Sequence, residues 1–376
     1  MQLLKLVESK VRVGIPLPWN VRNQDCTLLL AQGHVIHNDT QLETLLERGM
    51  FVDMEEYKAV EALQEPEAKP AISLYNRWTL AIDALEVILP HFSDAPDGLD
   101  AIHALADEIL ELANADADLG LFMAIRQDQA KHLRYGYSHA VHTAFLCGLM
   151  TQQLHWSSER TRLITLAALT MNASIAELQT HMAAQDYPAL DRQRAQIRLH
   201  PEHSVALLEK AGVADSEWLT TVLQHHEQNG GTGYPKGIST VSEAAQVLRM
   251  ADVFIARITP RQLRQSLSIQ DAARCMFKED KGGPLSMAAI KVLGIYPPGD
   301  LVKLASGEMG IVMRRGPEAR CPLVAAVTDH HGKGVSTTLH RDTSIAEYAI
   351  TGPATERASL SRVPPERLYG YAVPAH

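Results

Sequence analysis

The middle of the chain carries apolar residues at helical spacing, and this pattern constrains the fold more than any other feature. Two apolar stripes open the region, one from Leu74 to Leu89 and one from Ile102 to Leu112. Further helical patterns cover residues 140–154, 161–169, 195–211 and 245–258, without strand-like alternation between them. Side chains three or four positions apart share one face of a helix, which is buried against other helices. The spacing therefore predicts a mainly α protein built on a helical bundle.

The two ends of the chain have a different pattern. Short apolar runs broken by Gly and Pro predict a small β-rich module in residues 1–55 and a β appendage in 299–351. Residues 56–72 are charged and contain two prolines, which predicts a linker. The helical domain then covers 73–298. Several prolines in 352–376 predict a loosely ordered tail.

Composition excludes several classes of protein. The formal charge of -9 provides no general attraction for nucleic acid or an anionic membrane. The four cysteines are far apart and form no CxxC pair, which argues against a disulfide framework or a zinc knuckle. No apolar run is long enough to span a bilayer, and no signal peptide is recognisable. We expect a cytoplasmic protein without nucleic-acid partners or an organic cofactor.

The most unusual segment is the run from His225 to Gly237. Two adjacent histidines and Glu227 lead directly into a loop with four glycines, Tyr234 and Pro235. Glycine permits backbone conformations that other residues avoid, so one interpretation is a tight turn after a helix. The other interpretation is that the paired imidazoles are metal ligands and that the loop has a function of its own.

This segment resembles the signature of the HD-GYP family, and further segments match in family order between Tyr135 and Pro298. They are Tyr137-Ser138-His139, His200-Pro201-Glu202, His225-His226 with its loop, Met250 to Phe254, and Gly294 to Pro298. The resemblance implies an HD-type helical fold and metal-dependent hydrolysis of cyclic di-GMP. It also implies a set of metal ligands, which is His139, His200, His225, His226 and Asp252. The ion would be a divalent transition metal such as Fe, Mn or Zn.

The same resemblance exposes departures at the positions that matter most. Met171 and Asn172 stand where the family has its His-Asp pair, and Ile175 stands where it has a lysine near the substrate phosphates. Tyr135 occupies the place where some members have a glutamate that recruits a third metal. Two metals activate water and neutralise the phosphate, and a carboxylate between them offsets their repulsion. A thioether and a neutral amide supply neither a hard ligand nor a charge. We therefore expect a weakened paired centre, assign no catalytic residue, and predict one ion at reduced occupancy.

Several of these residues have a second interpretation. His139 is either a ligand or a core histidine with its hydrogen bonds satisfied. Asp252 lies in an apolar helix, where a lone carboxylate is costly, so it needs a metal or a basic partner such as Arg257 or Arg261. We predict a substrate-binding role for Arg261. Phosphate contacts could also come from Arg192, Arg194, Arg198 and Arg264, but we expect most of these arginines to lie on solvated faces.

The loop itself predicts a docking surface. Gly231, Gly233, Tyr234 and Pro235 are intact, with Tyr234 expected as an exposed aromatic edge, and loops of this family are thought to contact GGDEF-type proteins. Three hypotheses follow. The leading one is a catalytically impaired protein that binds a partner or cyclic di-GMP. The second is an active phosphodiesterase with an altered metal centre, and the third is a purely structural interaction module.

Overall fold

The computed structural model describes residues 3–5, 11, 13–47, 50–63, 72–126, 133–354 and 368–369. The chain forms two compact units, Met1–Ile72 and Ser73–His376. In the described part of the chain, no helix combines the length and the apolar character needed to cross a membrane.

The first unit is a small sheet with two helices. Its antiparallel strands are β1 (Leu3–Lys5), β2 (Val21–Arg22), β3 (Leu28–Leu30) and β4 (Phe51–Asp53), in the order β1-β4-β2-β3. The helices are α1 (Asp39–Glu47) and α2 (Met54–Leu63). The core is formed by apolar side chains from strands and loops, among them Trp19, Val21, Ile36, Met50 and Val52.

Helix α2 corrects the linker prediction. Residues 56–63, expected to be a linker, are helical, and residues 64–71 lie outside the described residues. Asp53 accepts a hydrogen bond from the Glu55 N–H at the start of the helix, 2.9 Å away. Tyr57 and Val60 pack on the core of the first unit, and the Tyr57 ring stacks on Trp19 at 6.1 Å. The charged residues that suggested a linker therefore belong to a helix that packs on this core.

The second unit confirms the prediction of a mainly α fold. Its described helices are α3 (Leu74–Ile88), α4 (Gly98–Ala115), α5 (Ala117–Ile125), α6 (Tyr135–Gln153), α7 (Ser158–Thr170), α8 (Ala176–Ala184), α9 (Asp191–Lys210), α10 (Ser216–Gln224), α11 (Glu243–Ile258), α12 (Ile269–Glu279) and α13 (Pro284–Leu293). Helix α6 is buried along almost its whole length and packs against α7, α11, α8 and α13. A helix surrounded on all sides by protein can place polar side chains inside the bundle, and α6 does so with His139.

A five-stranded antiparallel sheet follows the helices. The strands are β5 (Leu301–Leu304), β6 (Met309–Arg314), β7 (Leu323–Thr328), β8 (Gly334–Asp342) and β9 (Ile350–Pro353), in the order β8-β7-β6-β5-β9. The predicted β appendage is therefore present, and its limits at 299 and 351 stay predictions. Two ion pairs tie the sheet to the start of α5: Arg314 binds Asp116 at 2.8 Å, and Arg315 binds Asp118 at 2.5 Å.

Two residues of the predicted loose tail pack against this unit. Leu368 is buried, the Tyr369 hydroxyl donates to the Met313 carbonyl at 3.0 Å, and the Tyr369 ring meets the Phe122 ring edge-on at 5.0 Å. The prediction of loose order is wrong for these residues, because burial of an apolar and an aromatic side chain fixes them. Strand β9 also continues to Pro353, beyond the predicted start of the tail.

We predict that Phe122→Ala destabilises the second unit by about 3–5 kcal/mol, the range for truncating a buried aromatic. Phe122 is fully buried and joins α5 to the sheet through Ile311, Met313 and Val327. Guanidinium unfolding followed by circular dichroism measures the effect. Phe277→Ala is the matched control, because its side chain is 45% exposed. Equal losses in the two variants would contradict the assigned role of Phe122.

Candidate functional site

Three imidazoles meet inside the helical bundle. His200 comes from α9, while His225 and His226 follow the last turn of α10. One ligand atom from each lies within 4.8 Å of the other two, which is a spacing that can hold a metal ion. His200 and His225 are buried, and their Nε2 atoms are 3.0 Å apart.

The orientation of two of these rings is fixed by the backbone. His200 Nδ1 donates to the Ile197 carbonyl and His225 Nδ1 donates to the Val222 carbonyl, each at 2.6 Å. A carbonyl only accepts, so the Nδ1 atoms carry the protons and the Nε2 lone pairs of the neutral rings face each other. Such lone pairs repel unless a cation lies between them. Histidines that bind a divalent transition metal have the same orientation, with one ring nitrogen donating to a carbonyl and the other facing the ion.

Burial keeps the imidazoles neutral. It lowers the pKa of His200 to about 3, with a further contribution from His225. Burial also lowers the pKa of His225, and it lowers the pKa of His226 well below its ordinary value. A neutral imidazole is the form that binds metal, so the cluster does not have to lose protons first near neutral pH.

The other two predicted ligands are paired with each other. His139 Nε2 on α6 lies 2.6 Å from Asp252 Oδ1 on α11, and both side chains are buried. Burial alone would raise the pKa of Asp252, but the hydrogen bond from His139 lowers it below its usual range. The carboxylate is therefore charged. Within the described residues, neither side chain belongs to the cluster of His200, His225 and His226.

This pairing corrects the predicted partner of Asp252. Arg257 forms an ion pair with Glu279 instead. Arg261 donates to the Tyr135 hydroxyl, and its guanidinium lies 4.4 Å from the centre of that ring. The Tyr135 ring stacks on His139 with 5.2 Å between centroids. Arg261, Tyr135, His139 and Asp252 thus form a continuous column of contacts, which we call the α6–α11 column.

Glu227 organises the loop that follows the histidines. Its buried carboxylate accepts backbone N–H groups from Lys236 at 2.7 Å, Gly237 at 3.1 Å and Ile238 at 3.2 Å. Sequence reasoning did not assign this role, although its signal was visible as a carboxylate directly after two histidines. A charged acceptor with three N–H donors closes the loop over the cluster.

The loop leaves Tyr234 only partly exposed. The Tyr234 ring stacks on His226 at 4.6 Å between centroids and lines the cavity beside the cluster. Gly231 and Gly237 have φ of 81° and 64°, and Gly231 is exposed. The outer surface of the loop is therefore formed by glycine backbone and by Thr232 and Lys236, while Tyr234 contributes to the site.

Met171, Asn172 and Ile175 lie in the turn after α7. Met171 is fully buried in the main hydrophobic core, and Ile175 lines the cavity. Asn172 is 2% exposed, and its Oδ1 finds no hydrogen-bond partner in the described part of the protein. Ser174 ties this turn to the cluster, because its hydroxyl donates to the His200 carbonyl at 3.1 Å.

A cavity of about 300 Å³ opens beside the histidines. Its lining combines His139, His200, His226, Tyr234 and Asp252 with a wall of three arginines, Arg257, Arg261 and Arg264. The predicted substrate-binding residue Arg261 therefore faces the same space as the predicted metal ligands. Arg192, Arg194 and Arg198 are exposed on α9. The expected solvated position is thus found for these three and for Arg264, which is also exposed and at the same time lines the cavity.

Known proteins match parts of this chain. Residues 124–282 match the HD domain family HD_5. The chain is 27% identical over 261 residues to "Cyclic di-GMP phosphodiesterase PA4108" of Pseudomonas aeruginosa, covering 67% of this chain and 60% of that protein's length. A solved structure, "Bd1817, a HDG"Y"P protein from Bdellovibrio bacteriovorus", aligns with a TM-score of 0.47 and 16% identity, over 78% of this chain and 99% of that one.

The helical bundle with its internal histidines is an HD domain. The His-His-Glu segment, the Gly-Tyr-Pro loop, the match to the HD domain family and the similarity to the Pseudomonas protein support an HD-GYP family member, as the sequence resemblance predicted.

We predict that Gly233→Ala displaces the loop and destabilises the protein by about 1–3 kcal/mol, the usual cost of overpacking. A Cβ at this position would lie 2.4 Å from Glu227 Cα and 2.6 Å from the His226 carbonyl oxygen. Thermal unfolding measures the effect. Gly334→Ala is the control, because a Cβ there meets nothing within 4 Å. A wild-type melting temperature in Gly233→Ala would disprove the close packing of the loop.

We also predict that the metal-free protein loses stability as the pH falls from 6.5 towards 3. The pKa of His200 is lowered from 6.5 to about 3, so in this range the unfolded chain binds a proton that the folded protein refuses. Above pH 6.5 His200 is neutral in both the folded and the unfolded protein, so this loss of stability is absent. Urea titrations in the presence of a chelator, compared between wild type and His200→Asn, measure it. The variant should show the shallower pH dependence, and identical slopes would contradict the assignment.

Proposed function

We propose that this chain binds cyclic di-GMP in the arginine-lined cavity beside the histidine cluster and hydrolyses it slowly or not at all. The observation that carries the proposal is the pair Met171 and Asn172 at the position of the family's His-Asp pair. Met171 is buried among apolar side chains, and Asn172 brings a neutral amide. The site therefore lacks the carboxylate that would offset the repulsion between two ions.

The proposed ligand fits the charge of the cavity. Arg257, Arg261 and Arg264 line one wall, and guanidinium groups bind phosphate through paired hydrogen bonds. Arg261 Nε is buried and has no hydrogen-bond partner in the described structure, so it retains a donor that a phosphate oxygen can use. The named relative is a cyclic di-GMP phosphodiesterase, which supports this choice of nucleotide.

The residues present can hold one metal ion, but they lack the carboxylate that a pair of ions would need between them. His200, His225 and His226 would hold an ion, and such an ion would neutralise a phosphate and acidify a bound water. These residues fit because two of the rings already present their Nε2 lone pairs to each other. The remaining residues of the chain would orient the nucleotide, with Arg261 on a phosphate and Tyr234 shielding His226 from solvent.

A second candidate function is hydrolysis at an altered centre, and the geometry of His200 and His225 favours it. A single ion can still polarise a phosphate, although it cannot act on both the attacking and the leaving oxygen. The third hypothesis, a structural interaction module, rests on the loop. A GGDEF-type partner would meet the exposed backbone of Gly231 and the partly exposed Gly233 and Pro235, rather than the full Tyr234 ring.

We predict that the purified protein binds cyclic di-GMP and that Arg261→Gln weakens binding by roughly 10–100-fold, the loss expected for a charge-assisted hydrogen bond. Isothermal titration calorimetry measures it. Arg192→Gln is the matched control, because Arg192 is exposed on α9. An equal effect of both variants would show that the interaction is a general charge effect, and no binding by the wild type would reject the proposal.

Hydrolysis is followed in the same preparations under anaerobic conditions with ferrous iron or manganese. We expect no linear dinucleotide or GMP above the background of a His225→Ala, His226→Ala double variant. Turnover that vanishes in the double variant would establish the second candidate function instead. The triple variant Met171→His, Asn172→Asp, Ile175→Lys should gain metal and activity. Its circular dichroism must be checked, since Met171 lies in the core.

A further inference from the structure

We propose that the metal centre of this chain is mononuclear and made of imidazoles alone, with His200, His225 and His226 as its protein ligands. His139 and Asp252 stay outside it, and the centre selects nitrogen-preferring ions such as Zn²⁺ over Mn²⁺ and Mg²⁺. This inference rests on the proposed function in that it concerns the same site, and it specifies the ion and the ligands.

The first step is the geometry of the cluster. Two of its three rings are locked by hydrogen bonds from Nδ1 to the carbonyls of Ile197 and Val222, within their own helical turns. Their Nε2 atoms are 3.0 Å apart, and the third ring, His226, lies with its centroid 4.2 Å from that of His225 and 5.0 Å from that of His200. The ligand atoms are thus brought together by local backbone contacts that need no metal to form.

The second step is the α6–α11 column, which gives His139 and Asp252 other partners. His139 Nε2 is used by Asp252 Oδ1 at 2.6 Å, so this nitrogen is not free to bind a metal. His139 Nδ1 is buried without a hydrogen-bond partner in the described residues, but His139 is not part of the group of ligand atoms that lie within 4.8 Å of one another. Tyr135 stacks on the His139 ring, and Arg261 lies over Tyr135. Within the column, the Asp252 carboxylate is hydrogen-bonded to His139. The His139 ring is in turn stacked on Tyr135, which lies under the Arg261 guanidinium.

The third step concerns the oxygen ligands that a second ion would need. Glu227, the carboxylate next to the histidines, is occupied by three backbone N–H groups of the loop. Asn172 offers only an amide, and Met171 is packed in the hydrophobic core. In the part of the chain that the structure describes, the cluster itself contains no carboxylate.

The chemistry of the ion follows from these steps. Imidazole suits zinc, copper, iron and nickel, whereas carboxylate and water suit magnesium and manganese. Three neutral imidazoles also leave the ion with its full charge and with a coordination position for water or an anion. An all-histidine centre beside an arginine wall is therefore suited to hold an anionic oxygen, such as one from a phosphate group.

The test is metal binding by the full chain, stripped with a chelator and without nucleotide. Competition titration against a chromophoric chelator should give one Zn²⁺ per chain, bound more tightly than Mn²⁺. His225→Ala should weaken zinc binding by roughly 100-fold or more, since it removes a direct ligand, while Asp252→Asn should cost less than about 10-fold. His203→Ala is the matched control, because His203 is exposed on the same helix as His200.

The proposal is overturned by two ions per chain, by equal affinity for Zn²⁺ and Mn²⁺, or by a loss in Asp252→Asn as large as that in His225→Ala. Because Asp252→Asn removes a buried charge and could impair folding, X-ray absorption of the zinc-loaded wild type provides an independent count. Three imidazoles around the ion agree with the proposal, and four would place His139 in the centre and reject it.

These outcomes are separable from those of the proposed function. Zinc bound by three imidazoles in a protein without affinity for cyclic di-GMP would reject nucleotide binding and leave the metal assignment intact. Nucleotide binding by a protein that fails the zinc test would reject the mononuclear centre alone.

Discussion

The hydrogen bond between Asp252 and His139 is the interaction on which the site depends. A carboxylate buried in a helical bundle is costly unless a partner compensates its charge, and His139 is the partner that the structure provides. The contact joins α6, the central helix, to α11. The negative charge of Asp252 also affects neighbouring groups. Burial is the larger cause and Asp252 the smaller cause of the raised pKa of Cys147 and of Tyr234. The same charge opposes the effect of burial on His225 and His226, without removing it.

Glu227 is the second buried carboxylate at the site, and it has a different kind of partner. Its oxygens accept three backbone N–H groups, so its negative charge stabilises a loop rather than a cation. Each buried carboxylate near the histidines is therefore satisfied by protein donors. This distribution explains how the site keeps its shape although Met171 and Asn172 supply no charge of their own. Glu227 also links the histidine cluster to the loop, because it directly follows His226 in the chain and accepts hydrogen bonds from the loop backbone.

The sequence predicts interactions between residues that are close together in the chain, and it does not predict interactions between residues that are far apart in the chain. The helices of the second unit follow from local periodicity, and α4 covers the predicted stripe from Ile102 to Leu112. The approach of His225 and His226 follows from adjacency alone. The partner of Asp252 lies 113 residues away, and nothing local distinguishes His139 from Arg257 or Arg261 as that partner. The sequence likewise shows that Tyr234 belongs to a stiff turn, but its direction is decided by stacking on His226.

The surroundings of Met171 determine what a polar substitution in this turn would cost. The side chain is fully buried within the main hydrophobic core, where a thioether fills space and costs nothing to desolvate. An imidazole there would lose that packing and would need a hydrogen-bond partner or a metal to compensate its polar atoms. The adjacent Asn172 already has a buried oxygen without a partner in the described structure. A carboxylate at Asn172 would place a further negative charge in the interior, and only a cation could offset it. A histidine at Met171 and an aspartate at Asn172 would therefore be compensated together by one cation bound between them, and neither has such compensation alone.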